Sequence, residues 1–231
     1  IKSSKSLVNT LIHQTKMPSS KTSITSSTTK KSSSVTTNTT TTAEASTTPE
    51  YPLHSAARSG NLEELQSLLL INSKNPKHDP NEEDENGVTP LIEACIAGHL
   101  PIVKYLIETQ NCPAQPKQPF RHSPLRGACV AGKVSLIPYL LEKGADPNAL
   151  SEGNRSPLMG ACFLRQTVNG GVDLDSISMK CVLALLNDER TDPTIENSFG
   201  ESALDLAKVR GYQESMLLVE EALRRWKARK D

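Results

Sequence analysis

From Tyr51 onward, apolar and small residues return in a fixed order. Proline and leucine come first, then two variable residues, an alanine, a usually small residue, two free positions and a glycine. The first copy reads Pro52-Leu53-His54-Ser55-Ala56-Ala57-Arg58-Ser59-Gly60. Leu53, Leu91, Leu125, Leu158 and Leu204 mark five copies separated by 38, 34, 33 and 46 residues, close to the period of about 33 of a stacked repeat array. Leu and Ala three positions apart share one face of a short helix. Thr89, Ser123, Ser156 and Ser202 precede that helix, where a hydroxyl can accept a free N–H of the first turn. Proline at the first helical position loses no hydrogen bond, and the glycine can close the helix in a left-handed conformation.

A second helix is predicted after each glycine. Its apolar residues are Leu65, Leu68 and Leu69, then Ile102, Val103, Leu106 and Ile107, then Leu136, Ile137, Leu140 and Leu141. Spacings of three and four keep them on one helical face. Turn residues follow at Asp79-Pro80-Asn81, Gly144-Ala145-Asp146-Pro147-Asn148 and Asp192-Pro193-Thr194.

The stretches Val88-Thr89-Pro90-Leu91-Ile92-Glu93-Ala94-Cys95-Ile96-Ala97-Gly98-His99 and Gly144-Ala145-Asp146-Pro147-Asn148 resemble the ankyrin-repeat signature. The resemblance implies an all-α solenoid of stacked helix-turn-helix units with β-turn fingers, with repeats near 51–87, 88–120, 121–154, 155–200 and 201–231. It also implies inter-repeat bonds from His54 and His99 to backbone. The family's histidine after Pro-Leu is kept only at His54; Ile92, Arg126, Met159 and Asp205 replace it elsewhere, so the usual inter-repeat hydrogen-bond network is interrupted. In repeat four, residues 166–177 are extra and read as an exposed loop on Asn169-Gly170-Gly171, Asp173 and Asp175. Pro138 is tolerated if Ser135 caps its helix; otherwise it kinks it.

Residues 1–49 are a different material, rich in Ser and Thr, with six lysines and one acid, Glu44. They read as a disordered tail before a domain at 50–231. A basic, hydroxylated, acid-free 1–43 faintly resembles an organelle transit peptide, although it lacks arginine. The chain opens on Ile1 rather than Met, as a fragment, a processed form or a chain starting at Met17 would. The apolar cluster Leu7, Val8, Leu11, Ile12 is too interrupted for a secretory signal, and no apolar run is long enough to span a membrane.

The zero net charge conceals a layout: a basic tail, an acidic body and a basic end at Arg224, Arg225, Lys227, Arg229 and Lys230. That layout does not describe a nucleic-acid groove. The C-terminal cluster, with Trp226, reads either as a short nuclear-import signal or as cations suited to a helix C-terminus, with Trp226 capping the last repeat. The expected location is the cytoplasm, with the nucleus as the alternative.

The five cysteines do not form a disulfide framework. Cys95, Cys129 and Cys162 share one core-facing slot, Cys181 belongs to a second helix, and Cys112 is expected in a loop, where it would react first. No HExxH, Gly-rich phosphate loop or CxxC occurs. The five histidines have no ligand spacing, and Glu82, Glu83, Asp84 and Glu85 lack the alternation of a calcium loop. The expectation is a non-enzyme with no cofactor and no metal.

By the resemblance, partners contact the fingers and the outer positions of the first helix. Those positions hold Arg58, Ile96, Val130, Phe163 and Val209. Ile96, Val130, Phe163 and Val209 either form an apolar stripe along the inner surface or pack beneath the fingers. The first finger is acidic; the second carries Lys117, Phe120, Arg121 and His122; the fourth carries Ile195, Glu196, Asn197 and Phe199. The expected binding residues are Ile96, Val130, Phe163, Val209, Phe120 and Arg121. The expected partner of this monomer is a protein, with no nucleic acid and no membrane. An interaction module or adaptor is one reading; an assembly chaperone or regulatory subunit of a larger complex is the other.

Overall fold

The computed structural model describes residues 51–71, 78–115, 122–164 and 173–229. The tail at 1–49 lies outside them, as do Lys117, Phe120 and Arg121. Five short helices make an inner row: α1 (Pro52–Ser59), α3 (Pro90–Ala97), α5 (Pro124–Val130), α7 (Pro157–Cys162) and α9 (Ala203–Arg210). Each is followed by an outer helix: α2 (Leu62–Ile71), α4 (Leu100–Lys104), α6 (Leu136–Glu142), α8 (Leu174–Leu186) and α10 (Gln213–Ala228). Helix α4 runs on into a π-helical turn, Tyr105–Thr109. Successive inner helices pack on one another from α1 to α9, and α6, α8 and α10 pack in order behind them.

The local chemistry explains these boundaries. Thr89, Ser123, Ser156 and Ser202 each accept the N–H three residues on, at 3.4, 3.5, 3.3 and 3.3 Å. Each is a first-turn donor that water would otherwise have to satisfy. Ser202 and Asp205 complete a reciprocal pair, with the Ser202 N–H donating to Asp205 Oδ2 at 3.0 Å, so Asp205 replaces the family histidine with a helix-capping role. Helix α6 starts after Ser135, which leaves Pro138 in the first turn, where no hydrogen bond is lost.

Leu53, Leu91, Leu125 and Leu158 are buried in a continuous core with Ala56, Ala94, Ala128 and Ala161. His54 Nε2 meets the Val88 carbonyl at 2.8 Å and His99 Nε2 the Arg58 carbonyl at 3.2 Å, so both bridge repeats. Where the family histidine is absent, Ile92 and Met159 are buried and pack instead. The stack exchanges hydrogen bonds for apolar contact there. Among the described residues there is no strand; isolated bridges Ser151–Arg155 and Glu196–Ser202 close two finger turns.

Two expectations are corrected. Residues 174–177 are not loop but the first turn of α8, with Asp173 Oδ1 accepting the Ser176 N–H at 3.2 Å. Leu174 and Ile177 pack against the core, and Asp175 accepts the Glu214 N–H at 3.3 Å. Cys112 is not an exposed loop thiol: it is buried, with its Sγ 3.8 Å from the Pro80 carbonyl at the base of the first finger.

All five cysteines are buried and free. Burial pushes Cys162 and Cys181 up to about 12, and burial with nearby Asp79 does the same to Cys112. The thiolate is the reactive form, so a thiol reagent at neutral pH should label none of them until the fold opens. Rapid native labelling of Cys112 would contradict its burial. Because the folded pKa values are raised, the thiols contribute stability that is complete below the unfolded value of about 8.5. It is lost as pH rises from there toward about 12. The midpoint of urea unfolding should fall over that alkaline range, and less so in a variant with Cys162 and Cys181 replaced by Ala.

Candidate functional site

The inner helices and finger turns line a groove of about 740 Å³. Its lining includes Ile96, Val130, Phe163 and Val209, so the structure brings together all four of these expected binding residues on one surface. His122 also lines it, whereas Phe120 and Arg121 lie outside the described residues.

A register rule places these side chains. Arg58, Ile96 and Val130 each project over the next repeat, onto the fourth position of that repeat's inner helix. There Arg58 meets Glu93, Ile96 meets Gly127, and Val130 meets Gly160. A Cβ on Gly127 would come 3.1 Å from Ile96 Cγ1, and one on Gly160 would come 2.9 Å from Val130 Cγ2. These two glycines are therefore sites of close approach, not of unusual backbone. At Ile96 and Val130 the geometry lies between an open stripe and packing beneath the fingers. Ile96 and Val130 are half-buried against the neighbouring repeat yet still line the groove.

At the first end, Arg58 donates from Nε to Glu93 Oε2 at 3.0 Å and from its terminal nitrogen to Oε1 at 2.7 Å. This two-point geometry suits guanidinium and carboxylate. The Glu93 hydrogen bond, reinforced by its charge, raises the Arg58 pKa further. Asp84 lies nearby. Burial pushes its carboxyl up, but N–H donation from Val88 and Asn86 outweighs this and holds it below its ordinary value.

The other end is apolar. Helix α7 ends at Cys162, so Phe163 sits just past it with φ −133°. Its ring carries the Arg210 guanidinium 3.7 Å from the centroid, a cation–π stack. Phe163, Val209 and Phe199 remain 42%, 74% and 77% exposed. Phe199 is presented by a fixed turn. Asn197 Oδ1 accepts the N–H groups of Phe199 and Glu201 at 2.9 and 3.0 Å, and its amide donates to Glu201 Oε2 at 2.9 Å.

Phe199 was legible as a finger residue but not as part of the groove. The turn chemistry of Asn197 through Gly200 was the available signal. The Arg58–Glu93 pair and the two glycines carried no periodic signal of their own. Only superposing the copies reveals that their positions correspond. Among the described residues, no group of three or more His, Cys, Asp or Glu is placed to hold a metal ion. None of the helices among the described residues is long and apolar enough to cross a membrane.

Comparison with known proteins agrees with this architecture. A family model described as ankyrin repeats (3 copies) matches residues 5–118 and 53–151, the first match reaching into the Ser/Thr-rich tract. Protein fem-1 homolog A of Bos taurus is 43% identical over 67 residues, which is 29% of this chain and 9% of that protein. Protein fem-1 homolog A-like of Mus musculus is 47% identical over 58 residues, 25% of this chain and 8% of its own length. Ankyrin repeat domain-containing protein 7 of Homo sapiens is 43% identical over 58 residues, 25% of this chain and 21% of its own length. The chain thus matches less than a tenth of the fem-1 relatives.

Proposed function

Because this chain belongs to the ankyrin-repeat family, we propose that it is a non-catalytic adaptor whose groove and fingers bind a protein partner. Ankyrin repeats generally mediate protein–protein interaction and are typically non-catalytic. The observation that carries the reading is the convergence of Ile96, Val130, Phe163 and Val209 on one groove that ends in exposed apolar side chains. A cluster of large apolar groups facing water beside polar rims marks an interaction surface. In this reading Phe120 and Arg121 extend the contact from the second finger, and the protein works as a monomer in the cytoplasm or nucleus.

Affinity capture with the full chain, followed by mass spectrometry of bound proteins, identifies partners. Phe163→Asp then tests the surface. Loss of an aromatic anchor typically costs about 2 kcal/mol or more, so binding should weaken at least tenfold. Phe163 is outside the core, and Arg210 can pair with the new carboxylate, so the melting temperature should hold. A folded variant that binds its partner normally places the interaction on another face.

A further inference from the structure

Resting on that reading of the groove, we infer that its partner segment carries an acidic side chain next to a large apolar one. The acids lining the groove are already committed within the fold. Glu93 is held at two points by Arg58, Asp84 accepts N–H groups from Asn86 and Val88 at 2.9 Å each, and Glu201 accepts the Asn197 amide. The cations at the apolar end are not committed in this way. The exposed Arg155 guanidinium has no acceptor and no ion pair among the described residues. Arg210 stacks on Phe163, and its solvent-shielded Nε likewise has no acceptor there.

Arg155 is held close to the aromatic finger. The Ser198 N–H donates to the Gly153 carbonyl at 3.0 Å, tying the two turns together. A Cβ on Gly153 would stand 3.5 Å from Ser198 Oγ and 3.6 Å from Arg155 Nε, so hydroxyl and guanidinium flank one spot. Phe199 is the next residue along. A ligand here meets Phe163, Phe199 and Val209 together with the Arg155 guanidinium, while Arg210 stacks on Phe163. A carboxylate beside an aromatic or branched apolar side chain satisfies both needs, and arginine favours it by planar two-point bonding. An ammonium or guanidinium in its place would face like charge. The acidic remainder of the domain opposes such a ligand at long range. Beyond about 8 Å that field is screened at physiological salt, so discrimination arises on contact.

The test is selection of random linear peptides displayed on phage against the full chain, with the Phe163→Asp chain as counter-selection. The selected peptides should be enriched in Asp or Glu adjacent to Phe, Leu, Ile or Tyr. For a synthetic selected peptide, replacing its acids by Asn or Gln should weaken binding at least tenfold by fluorescence anisotropy. Arg155→Ala should do the same, and Arg155→Glu should reverse the preference toward the Lys-for-acid peptide. Both variants change an exposed side chain, and unaltered melting confirms their folds. Peptides lost with Phe163→Asp but without acidic enrichment, or indifferent to Arg155, overturn the acidic assignment while leaving the groove as the binding surface. If counter-selection removes every binder, so that no peptide prefers the native chain over Phe163→Asp, both are overturned.

Discussion

Leu125→Ala should lower the unfolding free energy by about 3 kcal/mol, within the range of about 2–5 kcal/mol for removing a fully buried leucine. Leu125 has no exposed surface, and its helix α5 packs on α3, on α7 and on its own outer helix α6. The cavity therefore opens at the middle of the stack, where neighbours on both sides constrain collapse. Repeat arrays are held by nearest-neighbour interfaces. A defect in the third of five repeats weakens the link between the two halves as well as the repeat itself. Urea unfolding followed by circular dichroism should show a lower midpoint and a broader transition. The half-buried Leu68 is the comparison, since its truncation removes less burial at the edge of the array. A change below about 1 kcal/mol for Leu125→Ala would mean that the central helices close over the gap.

Replacing residues 173–177 by a Gly-Ser linker of equal length should cost about 3 kcal/mol in total. The loss of the Asp173 cap contributes about 1 kcal/mol. Leu174 and Ile177, half-buried against the core, contribute about 1 kcal/mol each on partial burial. Asp175 adds a link between repeats four and five, accepting the Glu214 N–H at 3.3 Å. Beneath it Ser215 donates to Ser178 at 2.7 Å, and Ser178 donates to the Ala161 carbonyl at 2.8 Å, both serines being fully buried. Thermal melting distinguishes this from a replacement confined to 165–172, which leaves all these contacts in place. Equal melting of the two variants would return the segment to the status of a surface loop.

The fold was largely legible because each repeat restates the same local rules. The hydroxyl caps, the Pro-Leu start and the Cys95–Cys129–Cys162 slot follow from position within a copy, whereas the bridging roles of His54 and His99 follow from the ankyrin resemblance. The start of α8 was also written in the chain, as Leu174, Ile177, Cys181 and Leu185 at spacings of three and four. The Asn-Gly-Gly and paired aspartates just before it outweighed that signal, although Asp173 is a helix cap. Cys112 could not be placed locally. Its burial depends on Pro80, which is distant in sequence and belongs to another turn. The apolar groove positions were legible as a recurring slot, but what each side chain rests on was not. That contact crosses from one copy to the next and leaves no trace in the period.

The glycines beneath Ile96 and Val130 set the unit in which this protein can be rebuilt. Swapping a whole repeat for one from another protein would cut between a groove side chain and its seat. A graft carrying a large residue in place of Gly160, for instance, would collide with Val130, which the graft does not contain. The exchangeable cassette instead begins midway along one inner helix and ends midway along the next. Recombination libraries joined at those points keep each lining residue with the seat that admits it. Libraries joined at the finger turns scramble every such pair.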